Sequence, residues 1–326
     1  MRNLILPASV LAIACSKPLP SPSDHPSPSA SVALSASAAP SATGTVERIG
    51  VTPRLVVKNA CSLPIWVEQS GLLGVNNVKV MPGASTSYDI PSEGLASTRF
   101  WPKQGCDDLG NACLIGQSSP PCPSTGCSPP VDSKLEATWG CTLADKTQCG
   151  KTPQGVRMID TFWNASAVDG YTFPFTVIAS GGDDRPACIN VNCADLNPSA
   201  CPTDEDLSNG GINPAYKNQS LVASSGAGCF SPCMKLNYPG FGGDGLNNPA
   251  GPVEDFYCCP TPPVSAAQCH QGAVTRTKYV GLIHAACKGT AYAYAYDDGL
   301  GGRVCSGDTA LTMTVGPNCP LQVLRK

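Results

Sequence analysis

The side chains best suited by type to do chemistry in this chain are a few acids set among aromatic, strand-like residues. Asp169 is the one acid in residues 162–174, FWNASAVDGYTFP, which read as strand, turn, strand. Asp-Gly suits a tight turn, because Gly tolerates positive φ and Asp can bond its own backbone. A carboxylate held there between two strands can bind a ligand or move a proton; the same pattern also fits an Asp that only caps its own loop. Glu136 lies in Lys134–Trp139, KLEATW, the one strand-like run of a cysteine-rich stretch. His284 in GLIHAAC and His270 beside Cys269 are the general bases on offer, although single histidines are common on disulfide-rich surfaces. No serine-nucleophile elbow, P-loop or dinucleotide fingerprint occurs.

Such residues need rigid elements to hold them, and the composition favours short strands. Gly 33 and Pro 32 favour turns over long helices, and charged residues are only 14% of the chain. After the 168–170 turn, Tyr171, Phe173 and Phe175 alternate with Thr172, Pro174 and Thr176, the period of a half-buried strand. Residues 54–58 (RLVVK), 65–69 (IWVEQ), 78–81, 85–90 and 97–101 (STRFW) also read as strands. Their turn signals fall roughly 8–12 residues apart, the spacing of a sandwich or barrel. Residues 291–298 (AYAYAYDD) and 309–315 (TALTMTV) alternate with period two and are expected as closing strands. Asp204-Glu205-Asp206-Leu207, after Pro202, is expected to open a short helix, since acids suit a first turn. The fold class is all-β.

Aromatics at 6% leave the apolar core in need of help, and cysteine supplies it. Of 19 cysteines, Cys15 stands apart and the other 18 run from Cys61 to Cys319. Dense, even cysteine behind an export signal means disulfides. Zinc is disfavoured, because CxxC pairs are absent and the histidines are only His25, His270 and His284. No metal or cofactor is expected. Cys258 and Cys259 are neighbours, and a bond between them would be strained, so they should reach different partners. The remaining pairings run to roughly tens of millions. With 24 acids against 21 bases and no basic stripe, nucleic acid is not an expected partner.

Residues 1–14, MRNLILPASVLAIA, read as a short secretory signal. Ending at Cys15, it resembles a bacterial lipoprotein signal whose cysteine is lipidated, although Leu11 lies one place too far from that cysteine. A membrane is therefore expected to matter only through a lipid on Cys15, at the cell surface or outer membrane; with ordinary cleavage the protein is secreted. Residues 15–48, mostly Ser, Pro and Ala after Cys15, read as a disordered tether. The folded body spans 49–320, with a disulfide-rich region at about 188–287, and 321–326 is a tail.

The body resembles the thaumatin-like protein family over about 51–320. The motifs are the NxC with its aromatic strand at 59–66, STRFWPKQGC at 97–106, SAVDGYTFPF at 166–175 and GCFSPC at 228–233. YCCP at 257–260, AYAYAYDD and the terminal Asn318-Cys319-Pro320 complete the set, all in family order. The resemblance implies a flattened β-sandwich with two small disulfide-rich lobes. It implies bridges Cys61–Cys319, Cys106–Cys113, Cys122–Cys127, Cys188–Cys305, Cys193–Cys287, Cys201–Cys229, Cys233–Cys258 and Cys259–Cys269. Cys141 and Cys149, in an extra loop, are left for each other.

The same resemblance implies a cleft, often acidic, lined by an Arg, a Glu and three Asp. Here these fall on Arg99, Glu136, Asn164, Asp169 and Asp297, with Asp298 beside the last; Asn164 replaces an acid of the family pattern. The expected ligand is a β-1,3-glucan or related polysaccharide, whose hydroxyls donate to carboxylates and whose rings cover aromatic faces. Hydrolysis needs one protonated and one ionised carboxyl, and the pair would be Glu136 and Asp169. The acid missing at Asn164 points away from efficient catalysis. Weak endo-β-1,3-glucanase activity and a protein-binding surface role are the alternatives, antifungal action is a family association, and a monomer is expected. Asn164-Ala165-Ser166 and Asn218-Gln219-Ser220 fit the glycan-acceptor pattern.

Overall fold

A computed structural model describes residues 51–321, except 73, 75, 119, 123, 125–130, 182–184, 186, 224–227, 239–251 and 298–300. The expected signal, Cys15, the tether, Cys127, Asp298 and the tail beyond Leu321 lie outside the described residues.

Thirteen strands are described. They are β1 (Val51–Asn59), β2 (Ile65–Ser70), β3 (Val78–Val80), β4 (Ser85–Pro91), β5 (Leu95–Gln104), β6 (Lys134–Trp139) and β7 (Thr161–Ser166). After these come β8 (Gly170–Tyr171), β9 (Phe175–Ser180), β10 (Val191–Cys193), β11 (Cys229–Phe230), β12 (Gly302–Cys305) and β13 (Ala310–Val315). One sheet has the order β10-β9-β13-β1-β4, another β12-β7-β6-β5-β2-β3, and β8 pairs with β11 alone.

The alternation along these strands explains the sandwich. From the five-stranded sheet, Leu55, Val57, Leu311, Met313, Val315, Phe175 and Val177 are buried. From the six-stranded sheet, Ile65, Val67, Phe100, Leu135, Ala137, Trp139, Trp163 and Ala165 are buried in the same core cluster. Tyr88 of β4 meets Phe100 of β5 edge-on at 5.0 Å, joining the two sheets. The first and last strands, β1 and β13, lie side by side in parallel, with Leu55 opposite Leu311.

Disulfides among the described residues are Cys61–Cys319, Cys106–Cys113, Cys141–Cys149, Cys188–Cys305, Cys193–Cys287, Cys201–Cys229, Cys233–Cys258 and Cys259–Cys269. Four of them staple the small β8/β11 region and its short helices α1 (Pro232–Asn237), α2 (Pro252–Cys258), α3 (Ala266–His270) and α4 (Lys278–Ala286). Cys122 is also bonded.

Three local expectations are corrected. Residues 204–207 form no helix; Glu205 bridges to Gln219, and its carboxylate accepts the Lys278 and Tyr279 N–H groups at 3.1 and 2.9 Å. The acid thus caps the first turn of α4 rather than of its own segment. Residues 291–297 form no strand beyond one bridge at Tyr292, because the Asp297 carboxylate accepts the Ala293 N–H at 3.0 Å and folds the run back on itself. Tyr171 to Phe175 are all buried rather than alternating. The Ser133 hydroxyl takes the Thr172 and Phe173 N–H groups at 3.1 and 3.0 Å, so this stretch runs through the core between two sheets.

Arg54 sits at the β1 bulge opposite β4 and points inward, 3% exposed. It donates to Gly140 O at 2.6 Å, Thr161 Oγ1 at 2.9 Å, Thr309 O at 3.0 Å and Gly307 O, over the Trp139 ring at 5.3 Å. Burial lowers its pKa to about 10, offset in part by Asp308, and it stays charged at neutral pH. Removing it strands several enclosed acceptors at once. Arg54→Ala should therefore destabilise the protein by about 3 kcal/mol or more, read as a lower urea midpoint; a shift no larger than that of a surface arginine would contradict this.

Candidate functional site

The site is built on β6. Leu135, Ala137 and Trp139 go into the core, so Lys134, Glu136 and Thr138 must face outward. Antiparallel register then sets Arg99 of β5 and Asn164 of β7 on either side of Glu136. Arg99 Nε lies 2.8 Å from Glu136 Oε1. Lys134 is ion-paired with Asp169, whose turn leads into β8. Gly170 closes that turn at φ +137°, and a Cβ there would stand 2.2 Å from Cys229 O, so only glycine fits. Trp101 and Lys103 follow Arg99 on the outward face of β5, and Lys103, fully buried, reaches Glu68 of β2 at 2.7 Å.

The sequence-expected residues are therefore partly brought together. Arg99, Glu136 and Asn164 form one row across three strands, and Asp169 joins through Lys134. Asn164 is 5% exposed, and its Oδ1 has no hydrogen-bond partner among the described residues. That burial also encloses the Asn164 glycan-acceptor pattern, whereas Asn218 is exposed. Asp297 is different. It is 5% exposed and its Oδ2 accepts from Ala293 N and from His284 Nε2 at 2.8 Å, which ties it to its own turn and to α4. That turn docks beside β7, where Ala167 N donates to Tyr292 O at 2.9 Å. His270 lies against the Tyr296 carbonyl. Among the described residues no three His, Cys, Asp or Glu side chains gather as metal ligands, and no helix is long and apolar enough to cross a membrane.

Sequence reasoning missed four members of this face: Lys134, the paired Lys103 and Glu68, and Asp132. The signal for Asp132 was present, since Asp132 stands two residues before Lys134 and four before Glu136, the period of β6 carried one step upstream of the strand. Asp132 is 4% exposed. Its Oδ2 is 3.4 Å from the Ser118 hydroxyl, and its Oδ1 is enclosed without a partner. Burial pushes its carboxyl up to about 7, against the pull of Lys134 and with help from Asp169 and Glu68. Burial works the other way on Lys134, but the carboxylates of Asp169, Asp132 and Glu136 outweigh it and hold that ammonium above its ordinary value.

Among the described residues the cations of this face are all paired. Arg99, Lys103 and Lys134 are matched one to one by Glu136, Glu68 and Asp169, with Asp132 left over. The resemblance implied an acidic cleft; among the described residues of this face Arg99 and two lysines supply the counter-charge, and Asp132 adds a charge only when it ionises. Ion-paired carboxylates accept hydrogen bonds from hydroxyls and are poorly placed to donate a proton.

A disulfide-laced two-sheet sandwich bearing a row of polar and charged side chains across one sheet defines a class of cysteine-rich β proteins. A family model described as Thaumatin family matches residues 59–317, and the chain belongs to that family. It is 28% identical to "Thaumatin-like protein 1" of Arabidopsis thaliana over 279 residues, covering 82% of this chain and 86% of that protein. It is 26% identical to a "Glucan endo-1,3-beta-glucosidase" of Prunus avium, covering 80% and 89%. Among solved structures it is similar to a laminaripentaose-producing beta-1,3-glucanase from Paenibacillus barengoltzii complexed with laminarihexaose. That likeness is at 14% identity and TM-score 0.47, over 85% of this chain and 80% of that one.

The raised carboxyl of Asp132 has a signed consequence for stability. Unfolded, it ionises near 3.8; folded, it keeps its proton to about 7. Between those values the folded state binds the extra proton, so stability falls as pH rises through this window and stays reduced above it. Asp132→Asn should match the wild type near pH 4 and exceed it by about 1–4 kcal/mol at pH 8. Urea unfolding at both pH values checks this; equal stability of the two proteins at pH 8 would refute it.

Proposed function

We propose that this chain is an exported thaumatin-like protein that binds a neutral polysaccharide of the β-1,3-glucan class on the charged face of its six-stranded sheet. The observation that carries the reading is the row of Arg99–Glu136 and Lys134–Asp169 pairs beside Trp101. Fixed acceptors and fixed donors without excess charge suit the hydroxyls of an uncharged sugar, and an aromatic edge suits a ring face. The name of the Prunus avium relative supports the substrate class. The dense disulfides support an oxidising, extracellular setting, with Cys15 as the proposed lipid anchor and residues 16–48 as its tether. The protein acts as a monomer in this reading, and any antifungal action would follow from glucan binding.

A second reading, weak endo-β-1,3-glucanase activity through Glu136 and Asp169, draws on the same relative. The ion pairing of both carboxylates counts against it, because hydrolysis needs one of them as a proton donor.

Retention on insoluble β-1,3-glucan tests the first reading. Arg99→Ala and Asp169→Ala should each weaken retention about tenfold, the value of one charge-assisted hydrogen bond. A wild-type protein that passes through unretained would remove the binding reading. Reducing-sugar release from laminarin that disappears in Glu136→Gln would instead establish the enzyme.

A further inference from the structure

Asp132 is the one carboxyl among those of the charged face described above that has no cation of its own. The charged groups whose fields reach it are Lys134, two residues on at the start of β6, Asp169 on the turn before β8, and Glu68 on β2. Glu68 is held by Lys103, which is itself fixed by Gly110 O at 2.7 Å and Gln117 Oε1 at 3.2 Å. Glu136 is held by Arg99. The remaining cation, Lys134, is bound to Asp169, whose side chain is 30% exposed.

We propose that Asp132 is a positioning residue for this binding face: on losing its proton it draws the Lys134 ammonium away from Asp169 and frees that carboxylate for the hydroxyls of a polyhydroxyl ligand. The protonated acid exerts little pull, so Lys134 rests on Asp169, as in the structure. Ionisation releases the proton to solvent and leaves a charge in an enclosed site, where attraction is screened less than at the more exposed Asp169. Lys134 carries its charge on a flexible four-carbon stem and can answer that attraction without backbone movement. Once drawn over, the ammonium would supply a donor to the enclosed Asp132 Oδ1, which has no hydrogen-bond partner in the structure. The carboxyl that burial holds near neutrality is thereby linked to the affinity of the face. The identity of the ligand rests on the polysaccharide reading above; the coupling between Asp132, Lys134 and Asp169 does not.

The test separates the two. Side-chain carboxyl signals of the ligand-free protein are followed by carbon-13 NMR from pH 5 to pH 9. The expected result is an Asp169 signal that moves with the midpoint of Asp132, and that loses this movement in Asp132→Asn and in Lys134→Met. In parallel, laminarin affinity should rise about fivefold between pH 5.5 and pH 8 in the wild type and stay flat in Asp132→Asn. An Asp169 signal indifferent to Asp132 overturns the proposal. So does coupling seen by NMR together with a laminarin affinity that does not change with pH. No laminarin binding at any pH, with the NMR coupling intact, supports the coupling and sinks the polysaccharide reading instead.

Discussion

The sandwich depends on one long-range pairing. The first strand of the body, β1, and the last, β13, lie in parallel at the heart of the five-stranded sheet, and Cys61–Cys319 fastens them across 258 residues of sequence. A parallel neighbour cannot be reached through a tight turn, so every other strand lies in the crossover between these two. Closing so long a loop costs chain entropy before any contact repays it, and a covalent link lowers that cost by restricting the unfolded chain. Arg54, on the same first strand, adds a polar clasp from β1 to the ends of β6 and β7 and to the turn before β13. The apolar side of the six-stranded sheet has its partner surface only once this centre is in place.

From that constraint the character of the outer face follows. Every second residue of β2, β5, β6 and β7 is taken by the core, so the intervening residues are forced onto one surface whatever their chemistry. Several of these are charged and only partly solvated, and a partly buried charge is tolerable when it is paired. The pairs Arg99–Glu136, Lys103–Glu68 and Lys134–Asp169 are thus a requirement of the fold as well as a feature of the face. Asn164 fits the same logic. An ionised Asp in its place would stand beside Glu136, on the side away from Arg99, leaving one Arg to serve two carboxylates; the amide avoids that repulsion and leaves one enclosed oxygen unpartnered.

Much of the fold was legible in the sequence because strand alternation is local. TALTMTV and KLEATW wear their period openly, and both are strands. AYAYAYDD has the same period and is not a strand, because Asp297 is bound to Ala293 and His284, and only the latter contact is distant in sequence. Glu205 misled for a related reason: an acid near a Pro reads as a helix start, while its true partners are the N–H groups of α4, more than 70 residues on. At the site, Arg99, Glu136 and Asp169 were picked out as single charges, and what the sequence could not give was their pairing. Lys134 stands in the quoted KLEATW, yet its meaning depends on the Asp169 turn folding over β6. The cysteine pattern alone left its pairings open; the family resemblance, and not spacing, narrowed them.

Pairing of this kind decides which ligand such a face can prefer. A polyanion gains little, since each Arg or Lys it approaches already neutralises a neighbouring carboxylate, and a polycation meets the same obstacle in reverse. A neutral sugar escapes both penalties, because a hydroxyl can donate to a carboxylate and accept from an ammonium without separating the pair. Discrimination must then come from the spacing of hydroxyls against fixed strands about 4.8 Å apart, rather than from net charge. An acid that keeps its proton near neutrality disturbs this balance by a single charge when it ionises. Under the proposal above, that single charge would act first on Lys134 with Asp169, the pair nearest to it in sequence and joined by a flexible lysine rather than a planar guanidinium.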